Sequence, residues 1–348
     1  MKKITLKSEN TSIKGFVKLS GSKSISNRVL IIKSLSENIF SIKNLSNSDD
    51  TLRLEKALKK IETCRNSSIP LIVDANNAGT VLRFLTAFLS YGDGKWLLTG
   101  NSRMKERPIS DLVDALEELG ADITYASKEG FPPLKICSTK LRGGEISIDT
   151  SKSSQFVTAL MLIAPLLQQG LKINLEKKTV SQPYIKMTAS IMKKFGINLK
   201  YSKNCINIFP SEYKVSDYFV ESDWSSASYW YELVALCDNS EIKISSLFND
   251  SIQGDAIICD VFSKLGVSTE FLSDGKILLK NISKHENEME FDATNCPDLV
   301  PAIMVSCFAK GIKLSLKGYH HLKYKESDRI QAMLTELSKI GLVHNYQG

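Results

Sequence analysis

Apolar positions along this chain recur with i, i+3, i+4 spacing in five segments, residues 54–61, 112–120, 190–196, 258–266 and 333–341. That is the spacing of a helix with one buried face, and each segment ends and passes into a short predicted strand. The last four close on Gly120, Gly196, Gly266 and Gly341, separated by 76, 70 and 75 residues. A glycine in that place suits the left-handed turn that stops a helix, and the near-constant interval marks an internal repeat. A second set of helices opens between them, from Ser26, Gly79, Ser154, Ser225 and Pro297 onward, each behind a polar or glycine-bearing block. Strands alternating with two helices per unit predict an α/β fold of repeated βαβαββ-like modules, of which five are visible.

At 348 residues the chain exceeds what one core usually supports, which predicts two domains. Its apolar content of 43% and charged content of 24% are those of an ordinary folded protein. The longest nearly apolar stretch, residues 157–167, is too short to cross a bilayer and is interrupted by Thr158 and Pro165. Residues 1–9 carry positive charge with no apolar signal core behind them, so a cytoplasmic protein is expected. The seven cysteines are scattered without a C-x-x-C pair, and only four histidines could join them. Reduced structural thiols are expected, and no metal site.

A net charge of +7 favours anionic partners. The cations are 37 lysines and only 8 arginines, yet Arg28, Arg83, Arg103, Arg107 and Arg329 all fall in short polar blocks. Arginine retained against that bias points to positions needing a planar, permanently charged fork for phosphate or carboxylate.

Those blocks lie at predicted helix starts. Gly21-Ser22-Lys23-Ser24-Ile25-Ser26-Asn27-Arg28 runs into an apolar helix, leaving unpaired N–H groups with two cations near them. Such a block serves equally as a cap or as an anion site. Asn76-Asn77-Ala78-Gly79-Thr80 repeats the logic, with Arg83 one turn in and a glycine that lets an anion approach the backbone. Residues 103–108 set three cations around one carboxylate ahead of Pro108, and residues 323–329 form a second block of like character. Ser151 to Gln155, Ser181 to Tyr184 and residues 221–226 offer caps or ligand donors. Asp298 reads as an N-cap by default, and His320-His321 as a solvated pair.

Taken in order, these blocks resemble the 5-enolpyruvylshikimate-3-phosphate synthase family. The resemblance runs from about Lys14 to Gly341 and rests on residues 21–28, Ser48 to Thr51, Asn77 to Thr80, Arg103 to Pro108, Ser153 to Gln155, Gln253 to Asp255, Pro297-Asp298 and Lys325 to Arg329. It implies transfer of the enolpyruvyl group of phosphoenolpyruvate to the 5-hydroxyl of shikimate 3-phosphate, with no metal or organic cofactor. The partners implied are those two small molecules, with no nucleic acid or membrane, and the protein is expected to be a monomer.

By the same resemblance, Asp298 and Glu326 are the acid–base pair and Lys23 touches both substrates. Lys23, Ser24, Arg28, Ser153, Ser154, Gln155, Ser181, Tyr184, Asp298 and Lys325 bind shikimate 3-phosphate. Lys23, Gly79, Arg103, Gln155 and Arg329 face phosphoenolpyruvate. The family fold is a two-domain inside-out α/β barrel of βαβαββ units. It implies a first domain of three units at 21–221 and a second formed by 1–20 with 222–348.

The family pattern continues with a sixth unit, carrying an Asn-Asp-His-Arg block and a later lysine that bind phosphoenolpyruvate. No positions here match them, so the second domain is expected to lack its last unit and shikimate 3-phosphate contacts to persist better. Phe84 stands where many members have proline, and His321 where asparagine often sits. Two other readings remain: a catalytically impaired homologue that only binds shikimate 3-phosphate, and UDP-N-acetylglucosamine enolpyruvyl transferase. Against the latter stand residues 21–28 and the absence of an evident reactive-cysteine loop.

Overall fold

The computed structural model describes residues 12–36, 39–64 and 69–346. The charged stretch at residues 1–9, read above as lacking a signal core, lies outside the described residues. Among the described residues ten α-helices follow one another: α1 Lys23–Leu35, α2 Asp49–Cys64, α3 Gly79–Ser90, α4 Ser110–Glu118, α5 Ser154–Ile163, α6 Gln182–Lys194, α7 Trp224–Leu236, α8 Ile258–Ser263, α9 Val300–Ala309 and α10 Arg329–Ser338. The second, fourth, sixth, eighth and tenth are the segments whose spacing marked the repeat. All four repeat glycines take the left-handed conformation, with φ of +97° at Gly120, +81° at Gly196, +88° at Gly266 and +104° at Gly341. No helix among the described residues is long and apolar enough to cross a membrane.

The strands are β1 Lys14–Val17, β2 Ile42–Lys43, β3 Leu71–Asp74, β4 Lys95–Thr99, β5 Asp122–Tyr125, β6 Leu134–Cys137, β7 Gly144–Asp149 and β8 Leu171–Glu176. There follow β9 Leu199–Tyr201, β10 Cys205–Ile208, β11 Tyr218–Phe219, β12 Glu241–Ser245, β13 Val267–Phe271, β14 Lys276–Asn281, β15 Glu288–Asp292 and β16 Lys313–Lys317. Three four-stranded sheets have one plan, in the orders β3-β4-β6-β5, β7-β8-β10-β9 and β1-β12-β14-β13. In each, a parallel pair is extended by an antiparallel hairpin. The repeat in the sequence is thus a repeat in topology. The remaining pairs, β2 with β11 and β15 with β16, are parallel.

The chain divides into two compact units. The larger comprises Gly21–Val220 with Tyr319–Ala332; the smaller comprises the described part of residues 1–20 with Glu221–Gly318 and the described residues from Met333 on. The family pattern placed all of 222–348 in one domain, whereas residues 319–332 cluster with the larger unit. Arginine contacts described below hold them there.

In the larger unit α1, α3 and α5 pack on one another, and α3 also packs against β4 and β6. Eleven of the twelve residues of α3 and nine of the ten of α5 are buried. Helices apolar on every side are core elements. Each fully buried side chain such as Leu82, Leu85 or Leu160 contributes about 1.5–3 kcal/mol. β7, packed against α4, buries Ile146 and Ile148 while Glu145 and Ser147 face out. In the smaller unit α7 packs against α8 and α9 over the β1-β12-β14-β13 sheet.

Candidate active site

A glycine opens α3, and two buried arginines crowd its mouth. A β-carbon on Gly79 would lie 2.6 and 2.7 Å from the terminal nitrogens of Arg107 and 2.8 Å from Nη1 of Arg83. Both arginines are buried, at 4% and 3% exposure. Arg83 reaches back one helical turn to the Gly79 carbonyl at 3.2 Å and donates to the Pro108 carbonyl at 3.3 Å. Arg107 donates to the Asn77 carbonyl at 3.3 Å and to Oε1 of Glu326 at 3.2 Å. The buried Nε–H groups of both arginines have no acceptor.

The electrostatics follow from that crowding. Burial, then repulsion by Arg107, pushes Arg83 well below the usual guanidinium value, with Glu326 opposing. Arg107 is lowered too, by burial first and by Arg103 and Arg329 later, while Glu326 raises it. Burial alone would raise Glu326. Arg107, a backbone hydrogen bond, Arg329 and Lys325 override that and hold its carboxyl at about 2. Glu326 also accepts from Arg329 at 3.2 Å.

Arg103 is employed differently. Its guanidinium donates to the carbonyls of Lys323 and Lys325, at 3.1 and 3.3 Å, and to Glu106. It clasps the backbone that carries Lys325 and Glu326, and the nearest groups to Gly79 belong to Arg107 and Arg83.

A second cluster surrounds the mouths of α1, α5 and α6. Arg28, one turn into α1, is 2% exposed. It donates to Thr188 Oγ1 at 2.8 Å, the Ser24 carbonyl at 2.7 Å, Thr158 Oγ1 at 3.3 Å and the Tyr184 carbonyl at 3.2 Å. Its guanidinium also lies over the rings of Phe84 and Tyr184. Burial lowers it to about 10, against an opposing contribution from Tyr184. Lys23 begins α1 and pairs with Asp50 at 3.5 Å, and the Thr51 hydroxyl donates to Asn27. The Ser48 to Thr51 block therefore braces the first one.

Ser153 caps α5, its hydroxyl accepting from the Gln155 N–H, and Ser154 is buried. The Gln155 side chain donates to Thr80 Oγ1 at 3.2 Å, which joins the mouths of α5 and α3. Ser181, also buried, holds a left-handed conformation with φ of 53° immediately before α6. Lys152, Ser153, Gln155, Arg83, Arg107 and Lys325 line one small cavity of about 30 Å³. A far larger cavity of about 1070 Å³ lies at the other ends of the core helices, against Leu35, Leu89 and Tyr213, and contains none of these residues.

Asp298 belongs to the smaller unit. It sits within the 3-10 turn Pro297–Leu299 that precedes α9, not at the cap position its sequence predicts. Gln253 there accepts from the Trp224 N–H and donates to Glu221 and the Ser222 carbonyl, while Asp255 accepts from Ser225. The block at 253–255 thus holds the mouth of α7. Of the histidine pair, His320 is exposed but His321 is buried at 6%, beside Leu322 in the 3-10 turn. The expectation of a solvated pair fails for His321, because its turn packs that side inward.

The sequence placed Arg83 and Arg107 in blocks suited to anions, but the resemblance left both out of the substrate contacts and gave Arg103 instead. A signal for Arg107 was present: a residue before proline is held extended, so residues two apart point to one side. Arg107 therefore shares a side with Ile109, which is fully buried.

A profile of EPSP synthase (3-phosphoshikimate 1-carboxyvinyltransferase) matches residues 7–346. The 3-phosphoshikimate 1-carboxyvinyltransferase of Bacteroides fragilis strain YCH46 is 42% identical over 339 residues, which are 97% of this chain and 80% of that one. The protein of the same name from Sulfurovum sp. strain NBC37-1 is 39% identical over 364 residues, 98% of this chain and 84% of the other. Among solved structures, EPSP synthase from Acinetobacter baumannii superposes with a TM-score of 0.73 at 21% identity, covering 94% of this chain and 79% of that one.

Proposed function

Since the chain belongs to the EPSP synthase family, we infer that it transfers the enolpyruvyl group of phosphoenolpyruvate to the 5-hydroxyl of shikimate 3-phosphate, releasing phosphate, in aromatic amino-acid biosynthesis. The observation that carries this reading is the pair of buried guanidiniums facing Gly79. Two buried like charges, two orphaned Nε–H groups and one half-exposed carboxylate make a receptor for a further anion. Phosphoenolpyruvate offers both a phosphate and a carboxylate. Gly79, Arg107, Lys23, Gln155 and Arg329 receive it, and Arg107 takes the place the family resemblance gave to Arg103.

Shikimate 3-phosphate is held by Lys23, Ser24, Arg28, Ser153, Ser154, Gln155, Ser181, Tyr184, Lys325 and Asp298. In the transfer, the 5-hydroxyl oxygen bonds to C2 of the enol as the hydroxyl loses its proton and C3 gains one. The adduct then breaks its C2–O bond to phosphate while C3 gives up a proton, which restores the double bond. Two proton-carrying groups are needed, and Asp298 and Glu326 fill these roles, with Lys23 as the third group the family resemblance assigns to catalysis.

Glu326 is ionised while Arg107 and Arg329 hold it near 2. A phosphate that takes over Arg107 removes the strongest of those attractions, and the Glu326 carboxyl rises toward its ordinary range, where it exchanges protons. The present cavity of about 30 Å³ holds little more than a water. Substrate entry accordingly requires the strand of backbone around Tyr324 and Lys325 to withdraw. Action as a cytoplasmic monomer, without nucleic acid, belongs to the same reading.

The test is phosphate release from phosphoenolpyruvate, with and without shikimate 3-phosphate. Release that requires both is the expected result. Calorimetric binding of shikimate 3-phosphate without release would make the protein a binding module, and release dependent on UDP-N-acetylglucosamine would assign the other transferase.

A further inference from the structure

Beyond the residues that meet substrate, the ends of the parallel strands β7 and β8 carry a polar cluster to which no role has been assigned. The loop after β7 leads to Ser153, Ser154 and Gln155; the loop after β8 leads to Ser181 and Tyr184. Thr150, with no exposed surface, fastens the two together. Its N–H donates to the Glu176 carbonyl at 3.2 Å, and its hydroxyl donates to the same carbonyl at 2.8 Å. The hydroxyl also lies 2.9 Å from that of Thr179, and the Thr150 carbonyl accepts from the Val180 N–H at 3.3 Å.

Asp149 adds an ionic tie. One carboxylate oxygen accepts from the Ser151 N–H and hydroxyl at 2.8 and 2.6 Å, while the other meets Lys177 at 2.5 Å. The second loop needs such support. Lys177 and Ser181 hold φ of 57° and 53°, left-handed conformations that side-chain-bearing residues adopt only when their surroundings impose them.

We propose that Thr150, assisted by Asp149, is a positioning residue for the shikimate 3-phosphate site, holding the Ser153–Gln155 loop and the Ser181 loop in one register so that their hydroxyls act together. The proposal rests on the assignment of those loops to shikimate 3-phosphate. Neither Thr150 nor Asp149 touches the substrate. Their effect is to remove the ordering cost that binding would otherwise meet in the second loop.

Thr150→Val keeps the shape and deletes the hydroxyl; Thr150→Ser keeps the hydroxyl. Thr150→Val should raise KM for shikimate 3-phosphate about tenfold, the equivalent of one lost buried hydrogen bond, while KM for phosphoenolpyruvate stays within about twofold. Thr150→Ser should restore KM. In the free protein, hydrogen exchange at the Val180 amide should quicken in Thr150→Val and return in Thr150→Ser. A lowered melting temperature with unchanged KM for shikimate 3-phosphate, or unchanged exchange at Val180, overturns the proposal. Should Thr150→Val not fold, Asp149→Asn takes its place, with the same split in KM expected at a few-fold size. If the wild type binds no shikimate 3-phosphate, the assignment of function fails, whereas the exchange measurement still judges the clasp.

Discussion

The larger unit has two buried arginine sites, Arg28 one turn inside α1 and Arg83 one turn inside α3 with Arg107 beside it, and they are satisfied in opposite ways. Arg28 directs four of its five N–H groups at neutral oxygens and stacks on two rings. Arg83 and Arg107 repel each other, leave Nε–H groups unmatched and share one carboxylate that is 40% exposed. A guanidinium whose donors are occupied by its own fold chiefly orders that fold. One whose donors lack acceptors has capacity left for a ligand. The contrast separates α1, where arginine joins three helices, from α3, where arginine awaits an anion.

The contrast breaks first at Arg107. Arg107→Met should lower kcat/KM by about a hundredfold or more, while the denaturation midpoint changes little, since the loss of one ion pair is offset by relief of repulsion on Arg83. Arg28→Met removes a shikimate 3-phosphate contact and, unlike Arg107→Met, should also cost stability. It takes one donor each from the oxygens of Thr158, Thr188 and Tyr184 and leaves a buried gap, and a loss of about 2–4 kcal/mol in equilibrium denaturation is expected. Equal stability losses in the two variants would erase the distinction.

Acid supplies a smaller effect. Glu326 and Asp149 are each held at about 2 in the folded protein, below their ordinary values of 4.5 and 3.8. As pH falls the unfolded chain takes up these protons first, so the stability they contribute is complete above about 4.5 and drains away toward 2. Melting temperature followed across that window should fall less steeply in Glu326→Gln than in the wild type. Parallel curves would mean that Arg107 does not hold Glu326 in solution.

Much of the fold was legible because it repeats. The helical spacing before Gly120, Gly196, Gly266 and Gly341 recurs, and a glycine that ends a helix carries its own conformational signature. The polar blocks at Ser22, Gly79 and Ser153 were likewise readable as helix mouths, since caps leave local signals. What sequence left undecided was direction. Arg103 and Arg107 are separated by a single 3-10 turn, Met104–Glu106, and composition gives both the same chemistry. The packing turns Arg107 inward to Gly79, on the side the following proline favours, and leaves Arg103 on the carbonyls of Lys323 and Lys325. The burial of His321 and the attachment of residues 319–332 to the larger unit also depend on contacts between residues far apart in the chain.

The most direct measurement is KM for phosphoenolpyruvate in Arg107→Lys beside Arg103→Lys, at saturating shikimate 3-phosphate. Lysine keeps the charge and removes the fork, so Arg107→Lys should raise KM about tenfold or more, with Arg103→Lys staying within about threefold. The reverse order, with Arg103→Lys the more damaging to KM, would contradict the placement of the enol phosphate against Arg107 and Gly79.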